Sequence, residues 1–292
     1  MLGVEWGPRS CRMVCLQNNE EQIPVVQGAV ALALPESEEE SIRMVRQCLE
    51  TRGWTGLRAA LSLEDPHLHL RRLELPKMPE EDLREAIRWQ MRDIAEGSIE
   101  DYVIQRSILE EVASELPRLI VLGFAMKRDS LETKKKRAVE AGLDPVFMEP
   151  LPVAFASAIE RLYRTDNGEW RAGLWVGETS STLIVVGRGK LHFVKTLPAF
   201  EEGSLGKAAV EVQNALDAFF ILYKADKVER IFLAQGPKPM AGLAEYLTKN
   251  VGIPTESFNP LSGIQVSPEA KKIMEAVPSA FTIALEMAQV TL

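Results

Sequence analysis

Apolar and polar positions alternate over 2–7, 10–17 and 23–33, which predicts three successive strands. The period then becomes helical over 38–52. Ser37 with Glu40 three residues on marks its start, and Gly53 its end. Strands are expected again near 57–63 and 67–75. The stretch PKMPEEDLREAIRWQMRDIAEG reads as a helix with proline at its start and acids in its first turn. Leu83, Ile87, Met91 and Ile94 form an apolar stripe on it, with Trp89 off to one side. Two strands follow, YVIQRSIL and RLIVLGFA, joined by the turn EVASELP. A helix at 128–141 closing at Gly142, a strand at PVFM and a helix at 152–163 complete the first half.

TDNGEW, at 165–170, is the clearest linker signal. Beyond it come strands at 171–176, 181–187 and 190–198, then a helix at 204–225. Strand RIFLAQG, a helix at 241–250, a short strand near 253–258, and helices near 267–275 and 278–289 follow. The second half thus repeats the first. LGVEWGPRSCRMV (2–14) aligns without a gap on AGLWVGETSSTLI (172–184), matching Gly3 to Gly173, Gly7 to Gly177 and Ser10 to Ser180. Strand triplets followed by helices, in two copies, predict an α/β protein of two lobes, 1–166 and 167–292, with mixed sheets. The 67–118 stretch has no counterpart in the second half and reads as a subdomain inserted in the first lobe.

Charge narrows the function classes. With 34 basic and 42 acidic residues the net charge is −8, which disfavours a nucleic-acid role. The one basic run, Lys134-Lys135-Lys136-Arg137, reads as a solvated helix face. Cys11, Cys15 and Cys48 have no metal spacing and fit a reducing compartment. The start MLGVEW has no signal-peptide pattern, and no stretch is apolar enough for a membrane span, so a cytoplasmic protein that reaches a membrane only through partners is expected. His67 and His69 alternate on a strand without a third ligand in view, so no metal site is expected.

Several stretches carry a resemblance: the duplicated hairpin, LELPKMPEEDLREAIRWQM, AMKRDSLETKKKRAVEAGLDPVFME, GKLHFVKTLP, FLAQGPKPMAGLAEYLTKNVGIPTESFNP and SAFTIALEMA. In order and spacing they resemble the PilM-like proteins of type IV pilus assembly, within the actin-like ATPase superfamily. The resemblance implies an actin-like fold of duplicated RNase H-like lobes, with a nucleotide cleft between the hairpins. Glu5, Gly7, Ser10, Arg12, Gly177, Thr179, Ser180 and Gly236 are the positions it assigns to that cleft.

The cleft residues depart from the family pattern. Glu5 replaces the Asp that helps hold Mg2+ in active members, and one methylene displaces its carboxylate in a site that tolerates little. Arg12 replaces a phosphate-facing Lys. Trp175 stands where the second Asp is expected and is predicted to be buried. Glu149-Pro150-Leu151-Pro152 lacks the second acid of the family's Asp-φ-Glu-Pro, and Pro237 follows Gly236 where a second glycine is usual. The expectation is a cleft with the shape of an ATPase and little or no catalysis, with no resident cofactor and ATP–Mg2+ held weakly at most.

Function is then expected in the inserted subdomain. Arg84, Arg88 and Arg92 recur every four residues beside Trp89 and an apolar stripe, a pattern suited to capturing a short peptide with apolar anchors. The alternative is a solvated face with intrahelical pairs Glu81–Arg84 and Glu85–Arg88. The resemblance implies a scaffold peripheral to the inner membrane that binds the cytoplasmic N-terminal tail of a PilN-like partner in a groove of the first lobe and communicates with the pilus motor ATPases. Two other readings stand beside it. One is a nucleotide-switched actin-like protein with its Mg2+ site rebuilt around Glu5 and Glu149. The other is the cytoplasmic part of a longer GspL-like membrane protein of type II secretion.

Overall fold

The computed structural model describes residues 1–290 other than 66, 95, 114, 166, 167, 237 and 238. The linker expected at 165–170 contains Asp166 and Asn167, which lie outside the described residues. The chain forms two compact units, one of residues 1–63 and 138–292, the other of residues 64–137.

In chain order the first unit begins with β1 (Leu2–Trp6), β2 (Ser10–Asn18), β3 (Pro24–Ala33), α1 (Glu38–Arg52) and β4 (Arg58–Leu63). The second contains β5 (His69–Pro76), α2 (Glu80–Gln90), β6 (Tyr102–Val112), β7 (Arg118–Lys127) and most of α3 (Arg128–Glu140). The first unit resumes with β8 (Asp144–Pro150), α4 (Leu151–Tyr163), β9 (Arg171–Val176), β10 (Ser180–Gly187), β11 (Lys190–Pro198) and α5 (Leu205–Tyr223). It ends with β12 (Arg230–Gln235), α6 (Leu243–Val251), β13 (Thr255–Ser257), β14 (Gln265–Val266), α7 (Pro268–Met274) and α8 (Thr282–Gln289).

The repeat read from the sequence is a repeat of topology. One sheet has the order β14-β3-β2-β1-β4-β8 and the other β11-β10-β9-β12-β13. In each, three antiparallel strands are followed by two parallel ones reached through helices. The two aligned hairpins close with the same bond: Gly7 N–H donates to the Ser10 carbonyl at 2.9 Å, and Gly177 N–H to the Ser180 carbonyl at 3.1 Å.

Packing crosses the expected 166/167 division. β14, late in the chain, pairs parallel with β3 and adds an edge to the first sheet. α8 lies on β1, β2 and β4, where Ala284, Leu285 and Ala288 are buried with Val14, Leu16 and Ala29. α4, conversely, packs on β9, β10 and β11, and the two helices touch each other. The matched glycines explain the exchange. A Cβ on Gly3 would lie 1.9 Å from the Ala284 carbonyl oxygen and 2.3 Å from the Ala288 nitrogen, so α8 lies this close to β1 only because position 3 has no side chain. A Cβ on Gly173 would lie 2.6 Å from Ile159 and 2.7 Å from Phe155, both on α4.

In the second unit β5, β7 and β6 form an antiparallel sheet in that order. α2 covers it through Leu83, Ile87 and Met91, buried with Leu73, Val121 and Tyr102, as the apolar stripe implied. The helix stops at Gln90, because Arg71 of β5 donates to the Gln90 carbonyl at 2.8 Å and also pairs with Asp93. Arg92 then sits in a 3-10 turn (Arg92–Ile94), so the single face of Arg84, Arg88 and Arg92 expected from spacing is not formed. The unit also takes in the start of the basic run. Lys134 donates to the Glu64 carbonyl at 3.0 Å and lies 3.4 Å from Asp65, so this lysine anchors the unit rather than being merely solvated.

Candidate functional site

The cleft positions come together at the hairpin ends of β1–β2 and β9–β10. Glu5 and Arg12 are direct cross-strand partners in the register of β1 and β2, so their side chains share one face. Arg12 Nη1 donates to Glu5 Oε1 at 2.8 Å, with the two side chains 3% and 8% exposed. The residue expected to help hold a cation and the residue expected to contact phosphate are thus engaged with each other. Arg12 Nη2 is buried without a hydrogen-bond partner among the described residues, 3.9 Å from where a Cβ on Gly236 would lie.

The turn itself is also engaged. Gly7 spends its N–H inside the turn, Pro8 has none, and Arg9 N–H donates to Glu178 Oε2 at 3.0 Å. That oxygen lies over Gly7, 3.8 Å from where its Cβ would be. Glu178 was missed by sequence reasoning, although it stands in the aligned stretch one residue after Gly177. The signal was available: an acid in the second hairpin loop facing a turn that contains proline. Ser10 is buried, while Thr179 is exposed at its hairpin tip and Ser180 is partly exposed. Gly236 N–H donates to the Val176 carbonyl at 2.9 Å, tying the third loop to the second hairpin. Pro237 lies outside the described residues.

Trp175 is 1% exposed and meets Phe155 of α4 edge-on, the ring centroids 6.4 Å apart. It fills the interior as a side chain of α4's packing face and contributes no oxygen to the cleft. Trp6 joins the core on the α1 side of its own sheet, together with Leu2 and Val4. Glu149, at the end of β8, is pushed up to about 7 by burial and by the nearby Glu286 carboxylate. Burial also raises Glu286, against the opposing Arg161 guanidinium 3.1 Å away.

Mg2+–nucleotide needs hard carboxylate oxygens held at fixed distance and loop N–H groups directed at phosphate. Here Glu5 is ion-paired, Trp175 offers no ligand, Glu149 is half-protonated near neutrality and the Arg9 N–H points at a carboxylate. These residues do not fit the group.

Comparison with known proteins agrees with the topology. One solved structure, a Bacteroides thetaiotaomicron protein with an actin-like ATPase fold, matches at 9% identity and a TM-score of 0.53, covering 94% of this chain and 95% of that one. Another, a PilM–PilN type IV pilus biogenesis complex, matches at a TM-score of 0.80 and 21% identity over 99% of this chain and 97% of that one. The fold is actin-like. EutJ from Carboxydothermus hydrogenoformans shares it, at 14% identity and a TM-score of 0.53 over 98% of this chain and 88% of that one. Residues 204–290 match the family model of the type IV pilus assembly protein PilM. That stretch begins just ahead of α5 and runs through α8, so it carries both Gly236 and the helix that crosses to the first sheet. No curated protein matches the chain.

The second unit offers a different kind of site. Arg84, Glu85, Ile87 and Arg88 of α2 face Ile104, Gln105 and Arg106 of β6 across a groove of about 300 Å³. The structure therefore brings Arg84 and Arg88 together with Ile104 and Arg106, which sequence reasoning missed although their i, i+2 spacing puts them on one strand face. It leaves out Arg92, in the 3-10 turn, and Trp89, which is 62% exposed elsewhere on α2. The expected pairs with Glu81 and Glu85 are not the ones formed. Arg84 pairs with Glu80 at 3.0 Å, Arg88 with Glu100 at 3.0 Å, and Arg106 also with Glu80. These exposed pairs are weak, about 0–1 kcal/mol each.

Proposed function

We propose that this chain is a non-catalytic scaffold of a type IV pilus assembly platform on the cytoplasmic side of the inner membrane. It binds the short N-terminal tail of a PilN-like membrane partner and links that partner to the motor ATPases. The observation that carries this reading is the match to the PilM–PilN complex over 99% of the chain at a TM-score of 0.80, with the family-model match over 204–290 in support. Among the described residues no helix is long and apolar enough to cross a membrane, which is consistent with recruitment by a bitopic partner. The buried Glu5–Arg12 pair and the buried Trp175 support the absence of ATP hydrolysis.

Within the second unit, the groove between α2 and β6 suits an extended peptide. Ile104, partly exposed, offers apolar contact, and Arg84, Arg88 and Arg106 offer donors for backbone carbonyls or an acidic side chain. The test is fluorescence polarisation with a labelled peptide of the partner's cytoplasmic tail. Arg88→Glu replaces a donor with a repelling charge and is expected to weaken binding about tenfold or more, at ~1.4 kcal/mol per decade. Equal affinity for wild type and Arg88→Glu removes the groove from the site, and no binding to the wild type removes the partner assignment.

A further inference from the structure

Glu178 has no place in the expected chemistry, yet it makes the contact that joins the two hairpins. Its carboxylate reaches across from the β9–β10 loop and accepts the Arg9 N–H of the β1–β2 turn at 3.0 Å. The turn leaves few other donors. The Gly7 N–H is used internally, 2.9 Å from the Ser10 carbonyl, and Pro8 contributes none. The same carboxylate oxygen rests over the turn, 3.8 Å from where a Gly7 Cβ would be, an ordinary contact distance. Close by in the fold, buried Arg12 keeps Nη2 without a partner among the described residues, so the region retains positive donor capacity beyond the Glu5 pair.

We propose that the β1–β2 turn is an anion site whose resident ligand is the chain's own Glu178 carboxylate. In this arrangement the protein supplies internally the negative group that would otherwise come from a phosphate, and hairpin is joined to hairpin without any nucleotide. The proposal does not depend on the pilus reading, because it concerns only the two hairpins of the first unit. It also adds Glu178 to the causes of the poor fit to Mg2+–nucleotide: a phosphate must displace a tethered competitor before it reaches the Arg9 N–H.

The test combines amide hydrogen exchange with titration of inorganic phosphate, using the full chain. Wild type is expected to protect the Arg9 amide and to take up no phosphate at millimolar concentration. Glu178→Ala is expected to speed exchange at Arg9 at least tenfold and to bind phosphate in the millimolar range. Glu178→Gln keeps an oxygen that can accept the Arg9 N–H, and so guards against a folding defect; it is expected to retain most of the protection and to stay closed to phosphate. Unchanged Arg9 exchange in Glu178→Ala overturns the proposal, as does phosphate uptake by the wild type equal to that of the variant. Faster exchange without phosphate uptake also overturns it, reducing Glu178 to an ordinary loop contact.

Discussion

Arg12→Met removes the guanidinium that pairs with the Glu5 carboxylate, 8% exposed, at the base of the first hairpin. Removing one partner of a buried ion pair costs about 3–5 kcal/mol, because the remaining charge has lost its compensation without regaining water. The unit that carries the pair has about 200 residues, and for that size ~1 kcal/mol moves Tm by roughly 2–4 °C. The expected loss is therefore about 6–20 °C, read by thermal or urea unfolding at neutral pH and low salt. The double variant Glu5→Met/Arg12→Met replaces both charges with apolar groups of similar reach, and such replacements are often neutral or stabilising by about 1–4 kcal/mol. It should recover most of the loss, so the cycle yields a large coupling energy. A single Arg12→Met that costs under about 1 kcal/mol refutes the reasoning. Such a result means that the Glu5–Arg12 pair is not desolvated in solution.

Two further perturbations follow from the interior of the same unit. The folded-state value for Glu149 is raised from 4.5 to about 7, so its contribution to stability is complete below about 4.5 and is lost as pH rises through 7. Glu149→Gln should match wild type near pH 5 and exceed it by about 1–3 kcal/mol at pH 8, where wild type must ionise beside Glu286; parallel Tm–pH curves contradict this. Gly3→Ala drives a methyl into the backbone of α8, whereas Gly173→Ala meets only the ends of the Ile159 and Phe155 side chains. Gly173→Ala should cost about 1–3 kcal/mol and Gly3→Ala more, and chemical denaturation giving the reverse order would show that α8 gives way more easily than α4.

The strands were legible because β1, β2, β9 and β10 are largely apolar and buried at most positions, and in β1 and β2 successive residues alternate between the core on the α1 side and the core under α8. Helix ends were legible where a cap is local: Ser37 Oγ accepts the Glu40 N–H and Gly53 takes a left-handed φ of 67°. They were not legible where a distant residue decides. α2 ends because Arg71, nineteen positions earlier, takes the carbonyl of Gln90, and no window of sequence around Gln90 contains that fact. The same limit hid β14, whose two residues are too short for a periodic pattern and become a strand only through β3.

The cleft was harder still, and for a reason that bears on how duplicated hairpins are interpreted. A repeated glycine suggests a phosphate loop, but Gly3 and Gly173 are each required by a helix arriving from the other end of the chain or the other lobe. Gly7 and Gly177 each close a tight turn by the same internal bond. Close helix approach thus accounts for Gly3 and Gly173 without any ligand. The discriminating residues are those that do not repeat: Glu5 against Trp175, Pro8 against Glu178, Arg12 against Thr182. Every one of these mismatched positions is accounted for by a contact within the protein or by the loss of a donor, except the exposed part of Thr182 in its strand. Under the proposed non-catalytic reading, the side chains at these hairpins are held by one another: Arg12 by Glu5, and the Arg9 N–H by Glu178. Any recognition the chain performs must then be sought on surfaces where charges remain weakly paired, and in the second unit those are the arginines of α2 and β6.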